Sequence, residues 1–205
     1  MQLAGLMLMA GLVIAAVSAG LGSARGYSGK FWRLSLDDKL DFVHDHRPDW
    51  WWMAVADLAA IFAATAGMAG ATYLLADDGA PVLAYAALGG YLLAMSAWVF
   101  GLITQTAGAA RAATQRAESG ATPPWISGMW DACYLAEWVW VIGANLAYVL
   151  VGWAILQSGL VAAWAGWAAV VIGIGIPAAL AMVRDLAPQL SLLVPFILGI
   201  ALLVG

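Results

Sequence analysis

Residues 129–156 read MWDACYLAEWVWVIGANLAYVLVGWAIL, an apolar run that nevertheless contains two carboxylates and an amide. A helix of about 20 apolar residues crosses a bilayer, so this run predicts a membrane-spanning helix. At about 100° per residue, its polar and small side chains fall within about 120° of one another. This polar stripe consists of Asp131, Tyr134, Glu137, Trp138, Asn145, Tyr148 and Gly152.

The opposite side of the same helix is apolar and holds Leu135, Val139, Trp140, Ile142 and Leu150. A charged side chain near the bilayer centre costs at least about 2.5–3.5 kcal/mol. We therefore expect the polar stripe to face other protein or a water-filled cavity, and the apolar side to face lipid.

The whole chain has the composition of an integral membrane protein. Of its 205 residues, 64% are hydrophobic and 10% are charged, whereas a soluble domain carries about 25% charged residues. The apolar runs are long and continuous, which excludes a β-barrel of alternating segments. We predict an all-α integral membrane protein, a bundle of six transmembrane helices formed by residues 1–205 as one domain. The spans are expected at about 2–22, 49–76, 82–104, 129–156, 160–183 and 187–205.

Residues 23–48 form the one sizeable polar segment, which we assign to the cytoplasmic side. Ser35 precedes Asp38 at the spacing of a capping box. Apolar residues then follow at i, i+4 and i+7, which predicts a short amphipathic helix lying along the membrane surface. Phe31 and Trp32 are expected to anchor it at the headgroup level. The third span is expected to continue as a polar helix through 107–118.

Basic residues set the orientation. The loops after the first, third and fifth predicted spans contain all eight lysines and arginines of the chain. By the positive-inside rule these loops lie in the cytoplasm and both termini lie outside. We expect the protein in a bacterial or archaeal cytoplasmic membrane.

Acids within the spans are the candidate ligand-binding groups. Asp57 and Glu137 are predicted at similar depth on two inward-facing helices, an arrangement suited to a proton relay or a cation site. Asp131 adds charge nearer the interface, Tyr134, Asn145 and Tyr148 orient a ligand, and Trp138 packs against it. The alternative is that the acids are structural and hydrogen-bond to neighbouring helices.

Other chemistry has little support in the sequence. His44 and His46 could ligate a metal only if their helix has ended, since side chains two apart on a helix diverge by about 200°. No histidine lies within a span, which excludes bis-histidine haem ligation inside the bundle; no cofactor is otherwise indicated. Serine-hydrolase, zinc-protease and phosphate-loop motifs are absent, and no basic run indicates nucleic acid.

The leading hypothesis is a non-enzymatic bundle in the lipid bilayer that binds, and moves, a small hydrophobic or cationic ligand or protons. The alternative is a structural or accessory subunit of a larger assembly, with a membrane protein partner or a second copy of itself. Small residues at four-residue spacing on the second span favour close helix packing in either case. A lipid-modifying enzyme that uses the segment around His44 and His46 is a third interpretation.

Overall fold

A computed structural model describes residues 1–24, 31, 33–183 and 188–205, and these residues form helices and turns without a strand. The helices are α1 (Gln2–Ala24), α2 (Leu36–Asp45), α3 (Arg47–Asp77), α4 (Pro81–Ser119), α5 (Trp125–Ser158), α6 (Ala163–Val183) and α7 (Leu193–Val204). A 3-10 turn, Pro188–Leu192, leads directly into α7. The described residues are therefore all-helical, as expected of an integral membrane protein.

Five of the described helices, α1, α3, α4, α5 and α6, are long and apolar enough to cross a membrane. The last apolar segment, predicted as a sixth span at 187–205, forms a shorter apolar helix instead. Helix α7 has 12 residues and therefore rises only about 18 Å, against about 30 Å of bilayer hydrocarbon. The prediction of an all-helical protein with several helices of membrane-spanning length is confirmed, and the count of six full spans is not.

Close backbone contacts between small residues hold α1 in the bundle. A Cβ added to Gly67 of α3 would lie 2.6 Å from the backbone nitrogen of Leu8, and one added to Gly70 would lie 2.9 Å from the Cβ of Ala4. On another side of α1, a Cβ on Gly5 would meet the backbone oxygen of Gly199 in α7 at 2.9 Å. Small side chains therefore allow α1 to lie directly against both α3 and α7.

Helix α4 runs without interruption from Pro81 to Ser119, which confirms the predicted polar continuation of the third span. The helix is capped by Gly120, which adopts the left-handed conformation (φ 73°). Its last turns carry buried alanines, and these cover the apolar face of α2. The resulting small core comprises Phe31, Leu40, Val43, Trp50, Ala109, Ala110, Ala112, Ala113 and Ile126.

The structure corrects the expected surroundings of α2. The N-terminal cap that its capping-box spacing predicted is confirmed, because the Ser35 hydroxyl accepts a hydrogen bond from the Asp38 amide at 3.2 Å. Its apolar face, however, packs on protein rather than on lipid: Leu40 and Val43 are fully buried. Phe31, predicted at the headgroup level, is also buried and contacts the rings of Phe42 and Trp50. The sequence did not predict this contact, because the extension of α4 could not be seen to reach α2; the position of α2 at the membrane surface stays a prediction. Trp32 lies outside the described residues.

Arg116 of α4 ties α2 to this extension through several charged contacts. Its Nε and Nη2 donate to the two carboxylate oxygens of Asp41 at 2.7 and 3.2 Å. Its Nη1 lies 3.2 Å from Asp37 and donates to Thr122 at 2.9 Å. One guanidinium thus joins α2, the end of α4 and the loop that follows.

Acid is expected to loosen α2 through Asp41. The hydrogen bond from Arg116 lowers the pKa of Asp41 below its ordinary value, so the interaction stabilises the folded state above a pH of about 4 and is lost as pH falls through the lowered pKa. Hydrogen exchange of the α2 amides, corrected for intrinsic rates, should accelerate below that pH. In R116Q the amides should exchange faster at neutral pH, with a weaker acid dependence.

The matched control is D45N, which removes one carboxylate from the exposed side of α2. It should leave both the neutral exchange rates and their acid dependence near those of the wild type. An unchanged acid response in R116Q would show that Asp41 does not tie α2 to α4 in solution.

Candidate ligand site

Five buried side-chain atoms have no hydrogen-bond partner among the described residues, and four of them belong to α5. They are Tyr91 Oη, Trp138 Nε1, Trp140 Nε1, Asn145 Oδ1 and Tyr148 Oη. Folded proteins pair about 90% or more of their buried polar groups. A concentration of unpaired groups on one helix and its neighbour therefore marks the α4–α5 interface as the candidate site.

Four aromatic side chains, here called the aromatic core, line this interface: Tyr91 and Trp98 from α4, and Trp140 and Tyr148 from α5. The rings of Trp98 and Trp140 stack with centroids 4.6 Å apart and planes at 22°. Tyr91 lies between the other two residues, 5.9 Å from Trp140 and 5.8 Å from Tyr148. The aromatic core is thus continuous along the two helices.

The sequence of α4 explains how these large rings fit. Its buried side toward the bundle includes Ala84, Ala87, Tyr91, Ala94, Trp98 and Gly101, spaced three or four residues apart. Residues at this spacing share one helix face, and the alanines between the rings leave room for the side chains of α5. Tyr91 and Trp98 are seven residues apart, so both point to the same neighbour.

Hydroxyl groups from three helices meet at one end of the aromatic core. The hydroxyl of Tyr91 lies close to those of Thr65 in α3 and Tyr148 in α5. The three hydroxyls are near enough to interact with one another, but neither tyrosine hydroxyl meets the distance and angle of a full hydrogen bond. The three groups can therefore donate to or accept from a further polar atom placed among them.

Asn145 lies on the side of α5 that faces the last segment of the chain. Its amide nitrogen donates to Val141 O at 2.7 Å and to Ser191 Oγ at 2.8 Å. Because a carbonyl can only accept, the bond to Val141 fixes the orientation of the amide. Its Oδ1 is buried without a partner, so Asn145 offers an acceptor about one helical turn from Tyr148.

The acids take separate positions. Asp57 is half-buried on α3, beside Ser18 of α1, whereas Glu137 is half-buried on α5. Asp131 and Tyr134 are exposed near the beginning of α5, with the Tyr134 ring 6.1 Å from that of Trp138. A shared site for Asp57 and Glu137 stays a prediction. Of the predicted residues, Asn145 and Tyr148 lie deepest in the bundle, both fully buried.

Sequence reasoning missed three members of the aromatic core. Tyr91 and Trp98 were not candidates, although their seven-residue spacing on an alanine-rich face was visible in the sequence. Trp140 was expected on the lipid-facing side of α5 and is fully buried. Helix α5 packs against both α4 and α6, so its buried surface is wider than the single polar stripe that periodicity indicated.

The histidines do not form a metal site with other described residues. The ring of His46 stacks on Phe42 with centroids 4.2 Å apart, and its Nδ1 lies 3.0 Å from Phe42 O. His44 is exposed. In the described part of the chain, no group of three or more His, Cys, Asp or Glu side chains is placed to hold a metal ion.

Comparison with known proteins adds no family: no protein-family model matches the chain, and no curated protein or solved structure is significantly similar to it.

Proposed function

We propose that this membrane protein binds a small hydrophobic or cationic molecule at the aromatic core between α4 and α5. The observation that carries the proposal is the set of unpaired polar atoms buried there. Each such group costs about 1–3 kcal/mol when no partner replaces water. A ligand with its own polar atom would supply the missing hydrogen bonds and offset this cost.

The chemistry of the site favours a ligand with an apolar or aromatic body and few polar atoms. Trp98 and Trp140 each cover one face of the other, so the remaining surface of their rings would supply apolar contact to a ligand and attract a cation through its π electrons. The hydroxyls of Tyr91 and Tyr148 can donate or accept, and Asn145 Oδ1 accepts. Such a site orients a ligand by one or two hydrogen bonds while most of the binding energy comes from apolar contact.

Movement of the ligand, or of protons, is the further part of this proposal. Glu137 precedes Trp140 by three residues and therefore lies on a neighbouring part of the same helix face. It is half-buried, so it can attract a cation toward the aromatic core. Asp57 on α3 would serve the same role from the other side of the bundle.

A structural or accessory subunit is the second candidate function, and close packing favours it. Tyr91, Trp140, Asn145 and Tyr148 are each 0% exposed. Under this interpretation the aromatic core serves only to pack α4 against α5. The free energy gained from that packing offsets the cost of burying its unpaired polar groups. The two functions differ in what removal of the tyrosine hydroxyls does.

Replacing both tyrosines with phenylalanine is expected to abolish ligand binding without loss of stability. Native mass spectrometry of protein extracted gently from its own membrane should show a discrete small-molecule adduct, and Y91F/Y148F should lose it. Since neither hydroxyl makes a hydrogen bond of full geometry, the ligand-free double variant should unfold at the same temperature as ligand-free wild type, or higher.

The control is Y85F, which removes the same atom from an exposed tyrosine on the same helix and should keep the adduct. An adduct that survives in Y91F/Y148F would disprove binding at these hydroxyls. A protein adduct of defined mass in place of a small molecule would establish the subunit function.

A further inference from the structure

The boundary of the membrane at the α2 end of the bundle can be located from α3 and α4. The apolar part of α4 ends at about Ile103, where Gln105 follows. Trp50, near the start of α3, donates its Nε1 hydrogen to Thr106 O at 3.0 Å. The first turns of α3 and the residues after Ile103 on α4 therefore lie side by side at the edge of the hydrocarbon.

Two arginines lie just outside this boundary. Arg47 begins α3 and donates from Nη1 to Thr114 Oγ1 of α4 at 3.3 Å. Arg111 precedes Thr114 by three residues, and residues at this spacing are neighbours on a helix surface, with Cβ atoms about 5–6 Å apart. The hydrogen bond to Thr114 thus places the guanidinium of Arg47 against the face of α4 that carries Arg111 one turn earlier.

Both arginines are exposed. Ion pairs between described residues join Arg116 to Asp37 and Asp41, and these include neither Arg47 nor Arg111. Two positive charges on neighbouring helices repel each other, and an anion bound between them relieves that repulsion.

Exposed tryptophans lie on the membrane side of this arginine pair. Trp51 follows Arg47 by one helical turn and is 44% exposed, and Trp52 is 69% exposed. Trp side chains in such positions sit at the headgroup level. Arg111 is six residues beyond Gln105, a rise of about 9 Å, and its side chain tilts toward the N-terminus of α4 and hence toward the membrane. The headgroup layer is about 5–8 Å thick on each side of a bilayer, so the guanidinium reaches lipid phosphates.

We propose that Arg47, Arg111 and Trp51 form a binding site for the phosphate of an anionic phospholipid. Arginine recognises phosphate through paired, charge-assisted hydrogen bonds, and Trp51 packs beside the upper part of the acyl chains. The site does not depend on the ligand proposed for the aromatic core, which is formed by other residues deeper in the bundle.

The test uses the full-length protein in nanodiscs that contain phosphatidylglycerol and phosphatidylcholine. Native mass spectrometry after release should show phosphatidylglycerol retained in preference to phosphatidylcholine. In R47Q/R111Q this preference should fall by about tenfold or more, the effect of losing charge-assisted hydrogen bonds. R47K/R111K keeps the charge but not the paired geometry, and should show an intermediate loss.

R33Q is the control for the single variants R47Q and R111Q, because each of the three removes one exposed positive charge, and R33Q should retain the preference. Equal loss in R33Q and in these single variants would reduce the effect to net charge and overturn the proposal. Displacement of the lipid by millimolar inorganic phosphate alone would show that the site selects free phosphate instead, and would also overturn it.

Discussion

W140A is expected to destabilise the bundle by about 3–5 kcal/mol, the cost of emptying a large aromatic site in a packed core. Trp140 is fully buried and stacks on Trp98, with Tyr91 against its edge. Its Nε1 has no hydrogen-bond partner, so the substitution breaks no hydrogen bond. The entire loss of stability should therefore arise from lost packing contacts and from the cavity left between α4 and α5.

The same variant should gain affinity for free indole, which has the shape of the missing side chain. Engineered cavities lined by apolar groups bind small aromatic molecules. Added indole should raise the unfolding temperature of W140A in detergent and leave that of the wild type unchanged. The measurement is thermal unfolding followed by circular dichroism, with and without indole.

Trp164 provides the control, because it is 54% exposed on α6. W164A should unfold close to the wild-type temperature and should not respond to indole. Equal unfolding temperatures for W140A and W164A would show that Trp140 is not packed as described. Restoration of W140A by indole would show that the aromatic core accepts a free aromatic ligand.

The sequence predicted those parts of the fold that depend on local patterns. Hydropathy alone located α1 and α3 to α6, because every backbone group of a helix in lipid is satisfied within its own segment. The capping box at Ser35 and the continuation of α4 beyond Ile103 were also predictable, since neither requires knowledge of a distant neighbour. The shortness of α7 was harder to predict. An apolar run of 19 residues (187–205) is long enough to cross the membrane if all of it is α-helix. In the structure, however, its first part forms a 3-10 turn that begins at Pro188.

The candidate site was predicted less completely, because the hydrophobic periodicity of a helix does not show which other helix it contacts. The polar stripe on α5 correctly drew attention to Asn145 and Tyr148 as inward-facing groups. It could not reveal that Tyr91 of α4 would meet Tyr148, or that Ser191 would bond to Asn145. Nor could it show that Trp140, on the apolar side, would be enclosed between two helices. Each of these facts depends on which helices are neighbours.

The second large effect is expected at Gly67, where α1 and α3 touch most closely. A Cβ at this position would lie 2.6 Å from both the backbone nitrogen and the Cγ of Leu8. Backbone cannot move aside as a flexible side chain can, so α1 must shift away from α3 along their whole contact. G67A should lower the free energy of unfolding by about 1–3 kcal/mol, and a larger side chain at this position by more.

Gly89 of α4 is the matched control for this substitution, since a Cβ there meets nothing within 4 Å. Because alanine is a better helix former than glycine, G89A should be neutral or slightly stabilising, by up to about 1 kcal/mol. Both variants change one hydrogen to one methyl group within a membrane helix, and they differ only in what that methyl group meets. If G67A and G89A unfold alike in a denaturant titration, α1 does not lie against α3 at Leu8. A large loss in G67A alone would establish the contact between α1 and α3 that holds the first helix in the bundle.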